Sequence, residues 1–285
     1  MASHRSPVTD RRSAVATRRD QPRRALSQLP FRDRQPGRLR RGIRGTPAQR
    51  RAGLRSVGGH DARGVHRQGD NPGGSGLNFV TSENYEYDEE TVWTYETYLR
   101  SSLMDDRLFV TANLFYSDYR DQQVSYSRTT YNADRAETYG LEFGADYQAT
   151  DSLRLNAGVG LLHTEIVDFD AQPGLEGNEL DRAPHGTFTL GASWDVTDAL
   201  TLAGNVRHVT GYYSDVANTG DWKVAPYTVT NISASYDIGD RYELYGYADN
   251  LFDENEVTWV RGVTGNSSAR VTDPRMIGAG LRVQF

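Results

Sequence analysis

The stretch Pro274–Phe285 reads P-R-M-I-G-A-G-L-R-V-Q-F. Ile277, Ala279, Leu281, Val283 and Phe285 alternate with Met276, Gly278, Gly280, Arg282 and Gln284. Period two over such a run predicts a β-strand with one apolar face and one polar or small face. Such a strand must pair into a sheet. The question it poses is whether its apolar face meets a protein core or lipid. The expected neighbour is the run at 242–249, and no strand is evident for the other side.

Working back from this strand, the same pattern recurs. Trp93, Tyr95, Thr97 and Leu99 share one face, as do Leu108, Val110, Ala112, Leu114 and Tyr116. Tyr139, Leu141, Phe143, Ala145 and Tyr147 form a third stripe, and Phe188, Leu190, Ala192, Trp194 and Val196 another. Runs at 153–161, 200–206 and 227–238 behave alike. An irregular strand at Val124–Arg128 would bring the count from nine to ten. Short turns fall near 104–106, 150–152, 197–199 and 239–241. Long polar loops fall near 118–134, 164–184, 210–226 and 254–273. Short turns at one end and long loops at the other mark an outer-membrane β-barrel. The second face agrees, because Glu142, Asp146, Arg154, Asn205 and Arg207 suit a wet lumen rather than a core. Strands of ten to twelve residues also exceed the usual soluble length.

Composition divides the chain at about residue 70. Residues 1–70 hold 18 Arg, 5 Asp, no Lys, no Glu and one aromatic, Phe31. The remaining 215 residues hold the other 29 aromatics and are strongly acidic. The first segment cannot bury enough apolar surface to offset its ordering entropy. Its Arg-rich, Lys-free character is that of GC-rich coding sequence read in the wrong frame. We therefore expect 1–70 to be disordered or mistranslated and 71–285 to be the folded part. A basic arm for nucleic acid is the competing reading, and the absence of Lys counts against it, so no nucleic-acid partner is expected. No secretory signal is visible at Met1, so the expectation is that either the chain is not exported or its true start is missing. There is no cysteine, which excludes disulfides and thiolate zinc sites. The mean hydropathy of -0.68 does not argue against lipid, since alternating strands average out.

No enzyme constellation is present and no cofactor is expected. His163, His185 and His208 lack metal spacing. Glu165, Asp168 and Asp170 could attract calcium, but acidic external loops are common. Pro72-Gly73-Gly74-Ser75-Gly76 lacks the spacing and the lysine of a phosphate loop.

Several short elements, in order, resemble the C-terminal barrel part of a TonB-dependent outer-membrane receptor. They are Pro72-Gly73-Gly74, the E-T-x-W-x-Y-E run Glu90–Glu96, Asn113-Leu114-Phe115-Tyr116 with Tyr119, Asp121, Gln122 and Gln123, Tyr139-Gly140-Leu141-Glu142, Ala183-Pro184, Asn250-Leu251-Phe252-Asp253, and Pro274-Arg275 with the closing strand. The resemblance covers about three quarters of the chain. It implies an all-β antiparallel transmembrane barrel, here nine or ten strands of a 22-stranded whole, in the outer membrane of a Gram-negative bacterium. It implies uptake of a siderophore–iron complex or similar nutrient, with external loops and the apex of a plug binding the substrate. Tyr212, Tyr213, Trp222, Trp259 and Arg261 are the substrate-binding candidates in this chain. Phe285 is the implied terminal aromatic for barrel closure and assembly. The implied partners are outer-membrane lipid, the barrel assembly machinery, and the TonB complex if a plug is supplied. The alternative is a complete small porin or structural barrel.

Overall fold

The computed structural model describes residues 50–53, 60–263 and 266–284. They are almost entirely strand: β1 (Arg50–Gly53), β2 (His60–Asn71), β3 (Gly74–Asn78), β4 (Glu83–Tyr87), β5 (Glu90–Leu103), β6 (Leu108–Tyr126), β7 (Thr129–Gln148), β8 (Leu153–Asp168), β9 (Gly186–Asp195), β10 (Leu200–Val209), β11 (Tyr212–Tyr213), β12 (Lys223–Val224), β13 (Tyr227–Ile238), β14 (Tyr242–Asp249), β15 (Val257–Val263), β16 (Asn266–Val271) and β17 (Met276–Val283). One eleven-stranded antiparallel sheet runs in the order β1-β2-β5-β6-β7-β8-β9-β10-β13-β14-β17. The other six strands form three small hairpins inside loops. The sheet is a partial barrel wall, with β1 and β17 at its edges. The closing strand pairs with β14 from Tyr242↔Val283 to Asp249↔Met276, as its sequence predicts.

Two expectations are corrected. The sheet has eleven strands rather than nine or ten. The added pair lies in the segment expected to be disordered: β2 is matched with β5 along its whole length, from His60↔Ser101 to Asn71↔Glu90. Its outward residues Ala62, Gly64 and His66 carry too little apolar character to announce a strand. What holds it is the neighbouring edge of β5, whose backbone groups need partners. The rest of the segment, residues 1–49 and 54–59, lies outside the described residues, as does Phe285. Second, the expected loop at 118–134 is a continuation of β6 and β7, which are 19 and 20 residues long. They meet at Ser127-Arg128, both left-handed at φ 48° and 67°. That two-residue turn normally calls for Asn-Gly, and the Ser-Arg pair hides it from a sequence reading.

The sheet has two unlike faces. One presents large apolar side chains that nothing among the described residues covers: Leu114 is 58% exposed, Leu190 62% and Ile277 77%. A soluble sandwich would bury this face. Lipid is the medium it fits. Aromatic rings bound it at both ends. His66, Tyr95, Tyr116, Tyr139 and His163 lie in one cross-strand row, with centroids 6.2 Å apart for His66 and Tyr95 and 4.6 Å for Tyr139 and His163. Tyr147, Trp194 and Tyr236 mark the other end. Tyr139 and Tyr147 are eight residues apart on β7, about 27 Å along the strand and ~21 Å in height at a tilt near 40°. This approaches the ~25 Å apolar band of outer-membrane barrels.

The opposite face is polar. Arg67 pairs with Glu96 and Arg282 with Glu243 across neighbouring strands, and Arg154 lies 3.3 Å from Asp146. Glycines there make room for rings: a Cβ on Gly278 would stand 2.6 Å from the Tyr247 ring, and one on Gly280 2.5 Å from Tyr245. The alternation of glycine and small residues in the closing strand is thus the seat of two tyrosines on β14.

Candidate functional site

Five connections, the four loops 72–89, 169–185, 210–226 and 250–275 and, second in order, the tight β6–β7 tip, leave the sheet at the same end. A transmembrane strand needs roughly 9–11 residues. About half of β6 and of β7 therefore stands clear of the membrane, on the loop side.

The loops are fastened at their bases by the residues that carried the family resemblance. The Gln123 side chain donates to the Pro72 and Asp88 carbonyls, both at 3.0 Å, and accepts from the Asn71 side chain at 2.8 Å. Its cross-strand partner Asn132 donates to the Asp88 carbonyl and accepts from the Asp88 amide. The Glu90 carboxylate accepts the Gln123 backbone N–H at 2.8 Å. At the fifth loop, buried Asn250 donates to the carbonyls of Glu254 and Asp273, both at 2.8 Å. Asp253 accepts the Arg275 amide. The N-L-F-D and P-R elements therefore act together as one loop-base staple.

Burial pushes the Glu90 carboxyl above the usual glutamate range, and the Gln123 amide offsets part of this. A folded-state pKa above the unfolded value means that the ionised form costs stability at neutral pH. That cost disappears as pH falls from the raised value toward the ordinary one. Glu90→Gln keeps an acceptor for the Gln123 amide and removes the charge. We expect it to protect that amide more strongly at neutral pH and to abolish the gain in protection on mild acidification. Amide exchange followed against pH checks both.

Above the bases, the loops share a core of their own. Val124 and Ala133 from the β6–β7 tip, Ile166 and Phe169 at and beyond the end of β8, Leu175, and Val216 from the fourth loop are buried together. The largest fully buried side chains among the described residues lie in these loops or at strand ends beneath them. The wall cannot contain such a core, since one face meets lipid and the other the lumen. Reciprocal bonds lock two loops: Asn218 donates to the Glu179 carbonyl at 2.9 Å and accepts its amide at 2.8 Å. A second cluster, Val209, Tyr212 and Val224 with Tyr227, roots the fourth loop.

The candidates Tyr212, Tyr213, Trp222, Trp259 and Arg261 fall on two loops that pack together. Tyr212 is 7% exposed and its hydroxyl donates to the Thr258 carbonyl at 2.7 Å. Burial raises its pKa to about 12, with Tyr227 adding to the effect. In this chain Tyr212 is a packing and tethering residue, with little surface left for a ligand. The tether uses the irregularity between Val257 and Trp259, which frees the Thr258 carbonyl. Ser214 adds a second tie by accepting the Val260 amide at 3.0 Å. Tyr213 lies under the Lys223 ammonium, 4.9 Å from its ring centroid. Trp222 sits in the short 3-10 turn Gly220–Trp222 and is half-buried.

Trp259 and Arg261 come together with a residue the sequence did not single out. Arg270 pairs directly across the hairpin with Trp259. The Arg270 and Arg261 guanidiniums stand 5.1 and 5.6 Å from the indole. A hairpin signal at Val263-Thr264-Gly265-Asn266, read as such, would have set this register and found Arg270. None of the ion pairs among the described residues involves either arginine. The arrangement is an aromatic surface with two cations, suited to an anionic or aromatic group. Among the described residues no three His, Asp or Glu converge as a metal ion requires.

A wall of alternating strands with an apolar band, a polar lumen face and an ordered layer of external loops defines part of an outer-membrane β-barrel. Residues 39–251 match the family described as TonB dependent receptor-like, beta-barrel, and the chain belongs to that family. It is 26% identical over 189 residues to the "Probable TonB-dependent siderophore receptor PiuA" of Acinetobacter baumannii, covering 63% of this chain and 25% of that protein. It is 26% identical over 156 residues to the iron-regulated outer membrane virulence protein of Vibrio cholerae, covering 54% of this chain and 22% of that one. The crystal structure of the ferric yersiniabactin uptake receptor FyuA from Yersinia pestis shares the fold with a TM-score of 0.72 and 21% identity, over 83% of this chain and 37% of that one. The chain thus spans about a quarter of the length of the curated relatives it matches.

Proposed function

We propose that the chain forms part of the barrel wall and external mouth of a receptor that takes up a siderophore–iron complex or similar nutrient across the outer membrane. Uptake would be energised by the TonB complex through a plug outside these residues, and assembly of the wall would be the work of the barrel assembly machinery. The substrate class comes from the named relatives. The observation that supports it in this chain is Trp259 between Arg261 and Arg270, on a hairpin tethered into the loop layer. Metal chelates of this kind carry delocalised or anionic donor groups, and a guanidinium pair beside an indole suits them. Tyr213 with Lys223 offers a second cation–aromatic pair on the adjoining loop.

The test is calorimetric titration of the chain in detergent with ferric chelates of differing net charge. We expect an anionic chelate to bind and the Arg261→Gln, Arg270→Gln double variant to lose roughly tenfold or more per guanidinium, since a hydrogen bond to a charged group contributes about 1.5–3 kcal/mol. Tyr212→Phe, which removes only the loop tether, should change affinity far less. Equal binding by the double variant would remove this hairpin from the substrate site.

A further inference from the structure

The hairpin β15–β16 has two unlike edges. On the β15 side, the Val260 amide donates to the Ser214 hydroxyl at 3.0 Å, and the Thr258 carbonyl accepts from the Tyr212 hydroxyl at 2.7 Å. The fourth loop thus closes that edge. On the other side, β16 has no strand partner among the described residues besides β15. Ser267, Ser268, Ala269 and Arg270 are all exposed. The open edge is a row of backbone donors and acceptors presented to water.

The bond to Ser214 also fixes which groups the open edge presents. Facing residues of an antiparallel pair alternate between those that exchange both backbone bonds and those whose N–H and C=O point away from each other. Val260 turns its N–H away from β16, so Val260↔Ala269 is of the second kind. Gly262↔Ser267, two positions on, is of the same kind. Ala269 and Ser267 therefore direct their N–H and C=O groups to the open side, at the two-residue spacing by which one extended segment pairs with another. Side-chain parity puts Trp259, Arg261, Ser268 and Arg270 together on one face. The free strand edge and the cation–indole surface adjoin on one hairpin.

We infer that the substrate is an anionic iron chelate that carries a peptide segment, an inference that rests on the uptake reading above. The chelating head would lie over Trp259 beside the guanidiniums of Arg261 and Arg270. The peptide would add to β16 as a further strand, ~4.8 Å from it. Its carbonyls accept from the Ala269 and Ser267 N–H groups, and its own N–H groups donate to their carbonyls. A compact chelate without a peptide would meet the arginines and leave the edge unused. A second copy of this chain, paired edge to edge, would bring two guanidinium pairs together, and like charges oppose that pairing.

The experiment titrates the full chain in detergent, by calorimetry, with three ferric tris-catecholates of equal net charge. One is bare, one carries a short capped peptide of alternating serine and alanine, and one carries the same peptide methylated at every backbone nitrogen. We expect the peptide to tighten binding roughly tenfold, the gain from several neutral backbone bonds less the cost of ordering the tail. Methylation should cancel that gain, because it removes the donors and keeps the charge. Ala269→Pro deletes one N–H at the open edge, where an edge strand tolerates proline. It should remove most of the gain from the peptide, and the bare chelate reads whether the Trp259 surface has survived the change. If it has not, the comparison of plain and methylated peptides on the unaltered chain still decides. Equal affinity for all three chelates would overturn the inference and leave the uptake reading standing. Binding of none would overturn both. A dimer of the chain in sedimentation that Ala269→Pro dissociates would assign the edge to a second copy, and would overturn the inference as well.

Discussion

Phe169→Ala is expected to loosen the external loops while leaving the barrel wall intact. The Phe169 side chain is fully buried and meets the Tyr131 ring edge-on at 6.3 Å. Its neighbours come from three loops that are distant in sequence. Truncating a buried phenylalanine costs about 3–5 kcal/mol, part of it for the cavity left behind. Here that loss falls on a local unit, because the loop core and the strand ladder are separate sources of stability. Amide protection across 166–180 and 214–218 should fall by about a hundredfold or more. The strands between the aromatic rows should keep theirs, and the barrel should resist heat in detergent as before. Phe252→Ala is the control, since Phe252 is 66% exposed and its loss should be close to neutral. Hydrogen exchange read by mass spectrometry separates the outcomes. Uniform loss of protection through wall and loops would show that the loop layer is not an independent unit. No loss at all would show that it is not a core.

The second large effect concerns which face of the sheet meets lipid. Leu190→Arg places a charge near the middle of the apolar face, with Ala157 and Val206 as its cross-strand neighbours. At the bilayer midplane this costs about 2–4 kcal/mol. Ser233→Arg places the same charge on the opposite face, where Ser233 is exposed between Ala203 and Tyr247. That change should cost under ~0.5 kcal/mol, as for other solvated positions. Urea unfolding from lipid vesicles measures both. The expected order is a marked loss for Leu190→Arg and near-neutrality for Ser233→Arg. A reversed order would turn the sheet inside out. Equal tolerance of both would place the apolar face in water or detergent-free solution, against the membrane reading.

The loop staples clarify why the family-like elements occupy their positions. Glu90, Gln123, Asn250, Asp253 and Arg275 all act where a strand passes into a loop. Each satisfies backbone groups that have left the strand ladder and would otherwise be unpaired. Their side chains fix how each loop leaves the wall, and the loop cores then fix how the loops meet.

Much of the wall was legible in the sequence because its cause is local. A strand with lipid on one side and a polar lumen on the other must alternate, residue by residue, and it shows this without reference to any partner. Hence the strands of 91–283, the stacking of the closing strand on Tyr242–Asp249, and the aromatic residues at the band edges could be read directly. The alternation of long and short connections likewise fixed which end carries the loops. Tertiary structure decided what alternation cannot encode. The weakly apolar His60–Asn71 became a strand because the edge of β5 offered it a ladder. The Ser127-Arg128 turn was imposed by two long strands already in register. Tyr212, chosen for its exposed-looking loop, was drawn inward by Val209, Val224 and the Thr258 carbonyl. Arg270 joined Trp259 only through the pairing of β15 with β16. Each of these depends on a contact between residues far apart in the chain, and such contacts leave no period in the sequence.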